Sequence, residues 1–169
     1  MKKVIKGRAY VFGNNLDTDQ IYPGQYLELV EAGDIGLHAM EGADPDFAGA
    51  FKPGDIIVGG TNFGCGSSRE HAAIALQAVG TGVILAESFA RIFYRNAINL
   101  GLPLLVSSKI SSQVSSGDTL IVYMATGVVQ NRDTGAELRA EPMSEYVFDI
   151  LESGGIKPLV RKQLASLKE

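Results

Sequence analysis

The sequence predicts a single α/β domain, and three observations lead there. Two strand-loop-helix units follow one another between residues 56 and 103, a strand-rich stretch follows from 120 to 140, and no linker or repeat divides the chain. With 169 residues, 46% of them hydrophobic and 20% charged, the chain can bury one sizeable core but is too short for two independent ones.

The elements read in order as follows. Lys3 to Phe12, rich in Val, Ile and Tyr, is a strand that stops at Gly13-Asn14-Asn15, with Asp17 and Asp19 in the loop beyond. From Ile21 to Asp55, the Pro23-Gly24 pair, Gly33, Gly36, Gly42 and Pro45 interrupt the chain so often that only short helical turns are expected, around 26–41 and 45–50. A loop-rich excursion of this length is a common carrier of recognition. Pro53-Gly54-Asp55 turns into a short buried strand, Ile56 to Gly59. That strand runs through the glycine-rich loop Gly60 to Gly66 into a helix over about 68–79, with Ser67 or Ser68 as its cap and Glu70 near the positive end of its dipole. Gly80 and Gly82 stop the helix, and Gly82 to Ala86 is a second buried strand. Ser88 opens the next helix, on which Phe89, Ile92, Phe93, Ala97 and Ile98 recur near helical spacing until Gly101-Leu102-Pro103. After the short strand Leu104 to Val106, the polar run 107–118, including Ser111 to Ser116, reads as an exposed connection. Leu120 to Ala125, Val128 to Asn131 and Glu137 to Ala140 are three short strands, turning at Gly127 and at Asp133-Thr134-Gly135. The tail from Met143 to Glu169 has helical spacing around a Gly154-Gly155 break.

Composition narrows the function. A net charge of -4 and a pI near 5.2 leave no basic field for a nucleic acid. No run approaches the roughly 18 to 20 apolar residues of a membrane span, so a soluble, cytoplasmic chain is expected. The single cysteine, Cys65, rules out an internal disulfide. With only His38 and His71 beside it, no metal or iron-sulfur centre is expected on this chain alone, and any metal should come from another chain. Twenty glycines, above the roughly 7% that is usual, point to tight turns and backbone-lined sites.

The run Gly60 to Ala73, GTNFGCGSSREHAA, carries the strongest chemistry. Glycines let backbone N–H groups approach a ligand, a helix start adds partial positive charge, and Arg69 offers a planar fork for a carboxylate. The pattern suits an organic acid. It matches neither a P-loop nor a dinucleotide fingerprint, and by itself it is also compatible with a tight turn before a capped helix. Cys65 has glycines as immediate neighbours, whereas a nucleophile elbow needs them two residues away, so it reads as a small buried thiol. His38 and His71 read as ordinary histidines, His71 being near enough to the loop to tune it. Asp17 and Asp19 fit an Asx-turn. Arg91 and Arg95 share a helix face, either solvated and ion-paired or holding the loop helix or a subunit interface.

The segments LDTDQIYPG (16–24), NFGCGSSREHA (62–72) and SFARIFYRNAINLGLP (88–103) resemble, in order, the signature of the small subunits of 3-isopropylmalate dehydratases and of the swivelling domain of aconitases. The matches lie in the first two thirds of the chain, and the last third adds none. The resemblance implies a swivelling, three-layer β/β/α domain spanning residues 1–169. It implies a hydro-lyase of leucine biosynthesis that dehydrates and rehydrates a hydroxy-carboxylic acid, working as a heteromer with a large subunit. That partner carries a 4Fe-4S cluster whose open iron polarises the substrate, and this chain binds no cofactor. By the same resemblance Ser67 is the base that removes the proton alpha to a carboxylate, Arg69 binds a substrate carboxylate, Ser68 positions substrate, and Asp19 is an active-site carboxylate. The backbone of Gly64, Cys65 and Gly66 belongs to the site, and the loop from Gly60 to Gly64 faces the partner's iron.

In similar small subunits, the residue after a Tyr-Leu pair goes with specificity, arginine for the extra carboxylate of homoaconitase substrates and an apolar residue for isopropylmalate. The pair is Tyr26-Leu27, and the next residue is Glu28, which fits neither. An ionised Glu28 about 4 Å from a substrate carboxylate is repelled by roughly 4 kcal/mol at an effective dielectric of about 20. That disfavours a tricarboxylate, and Leu27, Leu29 and Val30 suit an alkyl group. An alkyl-substituted malate is expected, isopropylmalate first, with dimethylmalate, citramalate and homoaconitate as alternatives. Two readings of another class stay open: a non-catalytic carboxylate-binding regulatory module, and a self-contained hydrolase, which lacks a supporting elbow.

Overall fold

In the computed structural model, which describes residues 1–168, the first strand, β1 (Val4–Val11), is shared between two halves of one sheet. Its later residues pair in parallel with β2 (Ile56–Gly59), in the register Ala9 to Ile56 through Val11 to Val58. Its earlier residues pair antiparallel with β5 (Thr119–Tyr123), from Val4 opposite Tyr123 to Arg8 opposite Thr119. On one side the parallel set continues through β3 (Val83–Ala86) to β4 (Leu104–Val106). On the other, an antiparallel meander continues through β6 (Val128–Asn131) to β7 (Glu137–Arg139). The sheet order is β4-β3-β2-β1-β5-β6-β7.

Side-chain alternation turns this sheet into three layers. Ile57, Ile84, Ala86 and Leu104 point to one face of the parallel half and join a core with the helices. Ile56, Val58, Val83, Leu85 and Leu105 point to the other, where the curled meander supplies Leu120, Val122, Met124 and Val129. Because both faces are covered, β2 and β3 are buried at every position, which is why they read as continuous apolar runs. The β/β/α layering expected from the resemblance is therefore present.

The helical layer is built on α4 (Glu70–Ala78) and α5 (Arg91–Leu100), which follow β2 and β3 and pack together. Before them, the excursion contains α1 (Thr18–Ile21), a 3-10 turn (Gly24–Tyr26), α2 (Ala32–Gly36) and α3 (Phe47–Ala50). It is no loose loop: Tyr22, Ile35, Met40 and Phe47 are all buried in the helix-side core. After β4, the run expected to be an exposed connection contains a short helix, α6 (Ile110–Gln113). Ile110 and Val114 drive it into the inter-sheet core, and Ser111 donates to Glu87 while Ser116 accepts from the Val11 N–H. The tail forms α7 (Glu145–Glu152), capped by Ser144, and α8 (Ile156–Ser166), separated at Gly154-Gly155 as expected.

Two expected caps are absent. Neither Ser67 nor Ser68 caps α4, which starts after Arg69 with no side-chain cap, and α5 starts at Arg91 after Ala90, three residues beyond Ser88. Among the described residues no helix is long and apolar enough to cross a membrane.

Candidate active site

The loop leaving the carboxyl end of β2 is stitched to its neighbours residue by residue. Gly60 donates to the Gly13 carbonyl, Thr61 to Asn14 Oδ1, Asn62 to Ser88 Oγ, Phe63 to the Ser88 carbonyl and Gly64 to the Leu16 carbonyl, at 2.7–3.2 Å. Of the run Gly60 to Ala73, expected to offer backbone N–H groups to an acid, the first five amides, Gly64 included, are thus engaged inside the chain. Gly66, Ser67 and Ser68 are exposed, and their N–H groups find no acceptor among the described residues. The loop amides left free to meet an anion therefore lie at residues 66–68, just ahead of α4. Gly64 fixes where that stretch begins: its φ is +83°, and a Cβ there would lie 2.3 Å from Cγ of Phe93. Cys65 is half-buried and not fully buried as expected, and its carbonyl accepts from the Thr18 N–H at 2.8 Å.

The hydroxyl of Ser67 lies 3.2 Å from that of Thr18, and Thr18 Oγ1 also donates to the Ser67 carbonyl at 2.9 Å. Thr18 has one hydroxyl proton, and a carbonyl can only accept. While that proton rests on the Ser67 carbonyl, the proton between the two hydroxyls comes from Ser67. A rotation of the Thr18 hydroxyl instead offers its proton to Ser67 Oγ. Thr18 is 3% exposed, so this partner is fixed and shielded from water.

Thr18 is held by the capping box of α1. Asp17 accepts from the Gln20 N–H, and the Gln20 side chain accepts in turn from the Asp17 N–H. Asp17 is occupied in this way, while Asp19, one residue past Thr18, points elsewhere. Its Oδ1 receives Arg69 Nη1 at 2.6 Å and the Gly24 N–H at 3.1 Å. Arg69 first, then Gly24, hold the Asp19 carboxyl below the ordinary aspartate value of 3.8, so it stays ionised. Arg69 Nη1 also donates to the Tyr22 carbonyl at 3.1 Å. A Cβ at residue 24 would stand 3.2 Å from Arg69 Nη2, so a larger residue there would push the guanidinium by a few tenths of an ångström.

Thr18, Gly66, Ser67 and Arg69 line a cleft of about 190 Å³, closed on its far side by Arg91, Ile92, Phe93 and Asn96 of α5. Thr18 and Asn96 are the site residues that the sequence reading missed; neither residue type carries a signal until the fold apposes α1 and α5. Arg91 lines this cleft and Arg95 does not. Arg91 is the first residue of α5, where a positive charge opposes the helix dipole, so helix stability does not account for it. A larger cavity of about 540 Å³ lies at the opposite end of the strands, lined by Lys2, Lys6, Pro53, Thr81 and other residues. No serine or arginine lines it, whereas the smaller cleft at the carboxyl ends of the parallel strands brings together Ser67, Arg69 and Arg91. Ser68 is exposed at the edge of the amide run, and Leu27 and Glu28 are exposed on the excursion next to the 3-10 turn.

Among the described residues no three His, Cys, Asp or Glu side chains converge on a point where a metal ion could be held. One thiol cannot ligate an iron-sulfur cluster that needs several.

Comparison with known proteins gives this arrangement its context. The aconitase C-terminal domain family matches residues 6–109. The chain is 52% identical to the isopropylmalate/citramalate isomerase small subunit of Methanocaldococcus jannaschii, over 98% of both chains. It is 48% identical to the methanogen homoaconitase small subunit of Methanothermobacter thermautotrophicus, over 92% of this chain and 90% of that one. It is also 42% identical to the 3-isopropylmalate dehydratase small subunit of Moorella thermoacetica, over 95% and 97%. The crystal structure of 3-isopropylmalate dehydratase from Methanocaldococcus jannaschii superposes with a TM-score of 0.92 at 39% identity, covering 98% of this chain and 99% of that one.

Proposed function

Because this chain belongs to the aconitase C-terminal domain family, as a small subunit of the 3-isopropylmalate dehydratase kind, we propose that its Ser67 cleft completes the active site of a cytoplasmic hydro-lyase with a large subunit. The observation that carries this reading is the pairing of two couples on one loop, Ser67 with Thr18 and Arg69 with Asp19, beside the free amides of residues 66–68. The large subunit supplies a 4Fe-4S cluster, the Lewis acid that draws off the substrate hydroxyl. This chain supplies the proton chemistry.

Ser67, as its alkoxide, takes the proton from the carbon alpha to a carboxylate while the hydroxyl departs as hydroxide from the neighbouring carbon, leaving an alkene; that proton and the hydroxide together make up the water eliminated, and their return to the opposite carbons gives the isomer. A serine hydroxyl is a weak base, so its alkoxide needs donors in place beforehand. The N–H groups at 66–68 and the Thr18 proton provide them. Arg69, its Nη1 anchored by Asp19 and the Tyr22 carbonyl, binds a substrate carboxylate through its remaining nitrogens. Arg91 faces a second carboxylate from α5, and Ser68 adds a hydroxyl at the rim.

The substrate is an alkyl-substituted malate, isopropylmalate or citramalate. Overall identity does not choose between these and a homoaconitase substrate, since relatives named for each stand at 52% and 48%. The exposed Leu27-Glu28 pair supports the alkyl-substituted malate, because a third substrate carboxylate beside Glu28 would be repelled by its charge.

The test is reconstitution. The isolated chain is expected to be colourless and inactive, with dehydratase turnover appearing on addition of a cluster-loaded large subunit. In that complex Ser67→Ala lowers kcat by about 10²- to 10⁴-fold while substrate still binds. A Ser67→Ala complex with near-native kcat moves the base to another residue, and a wild-type complex that binds acid without turnover favours a regulatory module.

A further inference from the structure

The segment carrying Leu27 and Glu28 is held on both sides by side chains from elsewhere. Tyr22, fully buried, donates its hydroxyl to the Tyr26 carbonyl at 2.6 Å. His71, in the first turn of α4, stacks on the Tyr22 ring with centroids 5.5 Å apart and planes 20° from parallel. Its Nε2 lies 3.1 Å from the Leu29 carbonyl. A carbonyl accepts and never donates, so this contact is a hydrogen bond only with the proton on Nε2. The carbonyls of Tyr26 and Leu29 bracket Leu27-Glu28, and both are thereby fixed. The Tyr26 ring is fixed again by a stack on His38, centroids 3.6 Å apart, and His38 Nδ1 lies 3.1 Å from Glu41.

The same Tyr22 accepts Arg69 Nη1 at its backbone carbonyl. Arg69 and His71 are two residues apart at the start of α4, so one short stretch of chain fixes both a carboxylate ligand and the loop that would face the rest of the substrate. We propose that His71, in its Nε2-protonated form, is a positioning residue that sets the place of Leu27 and Glu28 relative to Arg69 and thereby tunes the choice of substrate side group. The claim rests on the reading of Leu27-Glu28 as a substrate-facing pair.

Two sets of measurements test it. The chain has two histidines, so ¹⁵N-histidine labelling of the isolated chain, with His38→Asn for assignment, reads the His71 tautomer directly. A protonated Nε2 and a bare Nδ1 near pH 8 are expected, and a proton on Nδ1 alone overturns the proposal. Hydrogen exchange across residues 26–30 should quicken severalfold in His71→Ala, and unchanged exchange also overturns it. In the reconstituted enzyme, His71→Ala is expected to raise KM roughly two- to tenfold, with a smaller change in kcat. It should also narrow the kcat/KM ratio between isopropylmalate and homoaconitate. His71→Gln, which keeps an N–H donor, restores part of that ratio, and Tyr22→Phe shifts it in the same direction as His71→Ala. A ratio unmoved in both His71→Ala and Tyr22→Phe removes His71 from specificity. If the wild-type complex has no dehydratase activity, the functional reading fails, while tautomer and exchange still report whether His71 holds the segment.

Discussion

Replacing Arg69 by lysine separates the two tasks proposed for the guanidinium. In the native chain Nη1 is engaged twice, by Asp19 at 2.6 Å and by the Tyr22 carbonyl at 3.1 Å, which leaves Nε and Nη2 for a substrate carboxylate. A lysine keeps the charge but places its donors on one nitrogen, so it can stay with Asp19 or turn to the substrate without serving both as a fork. One charge-assisted hydrogen bond is lost, worth about 1.5 to 3 kcal/mol. At 1.4 kcal/mol per decade, that is roughly a ten- to 150-fold weaker affinity. The assay is calorimetric binding of a non-reacting substrate analogue to the assembled complex, beside steady-state kinetics. Kd and KM are expected to rise together by that factor, with a smaller effect on kcat. A Kd within twofold of wild type refutes the argument, because the bond to Asp19 would then be all that Arg69 does.

Three further substitutions address other parts of the site. Thr18→Val keeps the buried shape but removes the hydroxyl beside Ser67; kcat should fall about ten- to 100-fold with the melting temperature little changed, and an unchanged kcat removes Thr18 from the proton chemistry. Glu28→Arg should shift the kcat/KM ranking of isopropylmalate, dimethylmalate, citramalate and homoaconitate towards homoaconitate; an unaltered ranking, or a native preference for homoaconitate, removes Glu28 as a determinant. Gly64→Ala places a methyl group 2.3 Å from Phe93 at a φ of +83°, and should cost about 2 to 4 kcal/mol by chemical denaturation; a loss below about 1 kcal/mol means that Phe93 yields freely.

The parts of the fold that the sequence made legible are those governed by neighbours in the chain. The short apolar runs of β2 and β3 could be read because both faces of those strands are covered, and the break at Gly154-Gly155 because glycine tolerates its backbone there. What could not be read depends on contacts between distant residues. Ile110 and Val114 looked stranded in a polar run, yet the curled meander closes over them; no local pattern announces a meander that folds back. The two misread caps share a cause. Serine ahead of a helix is expected to bond the helix's own N–H groups, but Ser88 accepts from Asn62, 26 residues away, and Ser67 meets Thr18, 49 residues away. Each time a local preference yields to a longer-range bond that shapes the Gly60 to Ser68 loop. For Ser67 the consequence is chemical: a cap hydroxyl aimed at its own helix could not stand in an open cleft beside Arg69 and Arg91. α4 thus forgoes a cap, worth typically about 1 kcal/mol, at the position where the hydroxyl meets Thr18 instead. The uncapped helix at Ser67, more than the glycines around it, is what supports the proposal of a reactive loop over a tight turn.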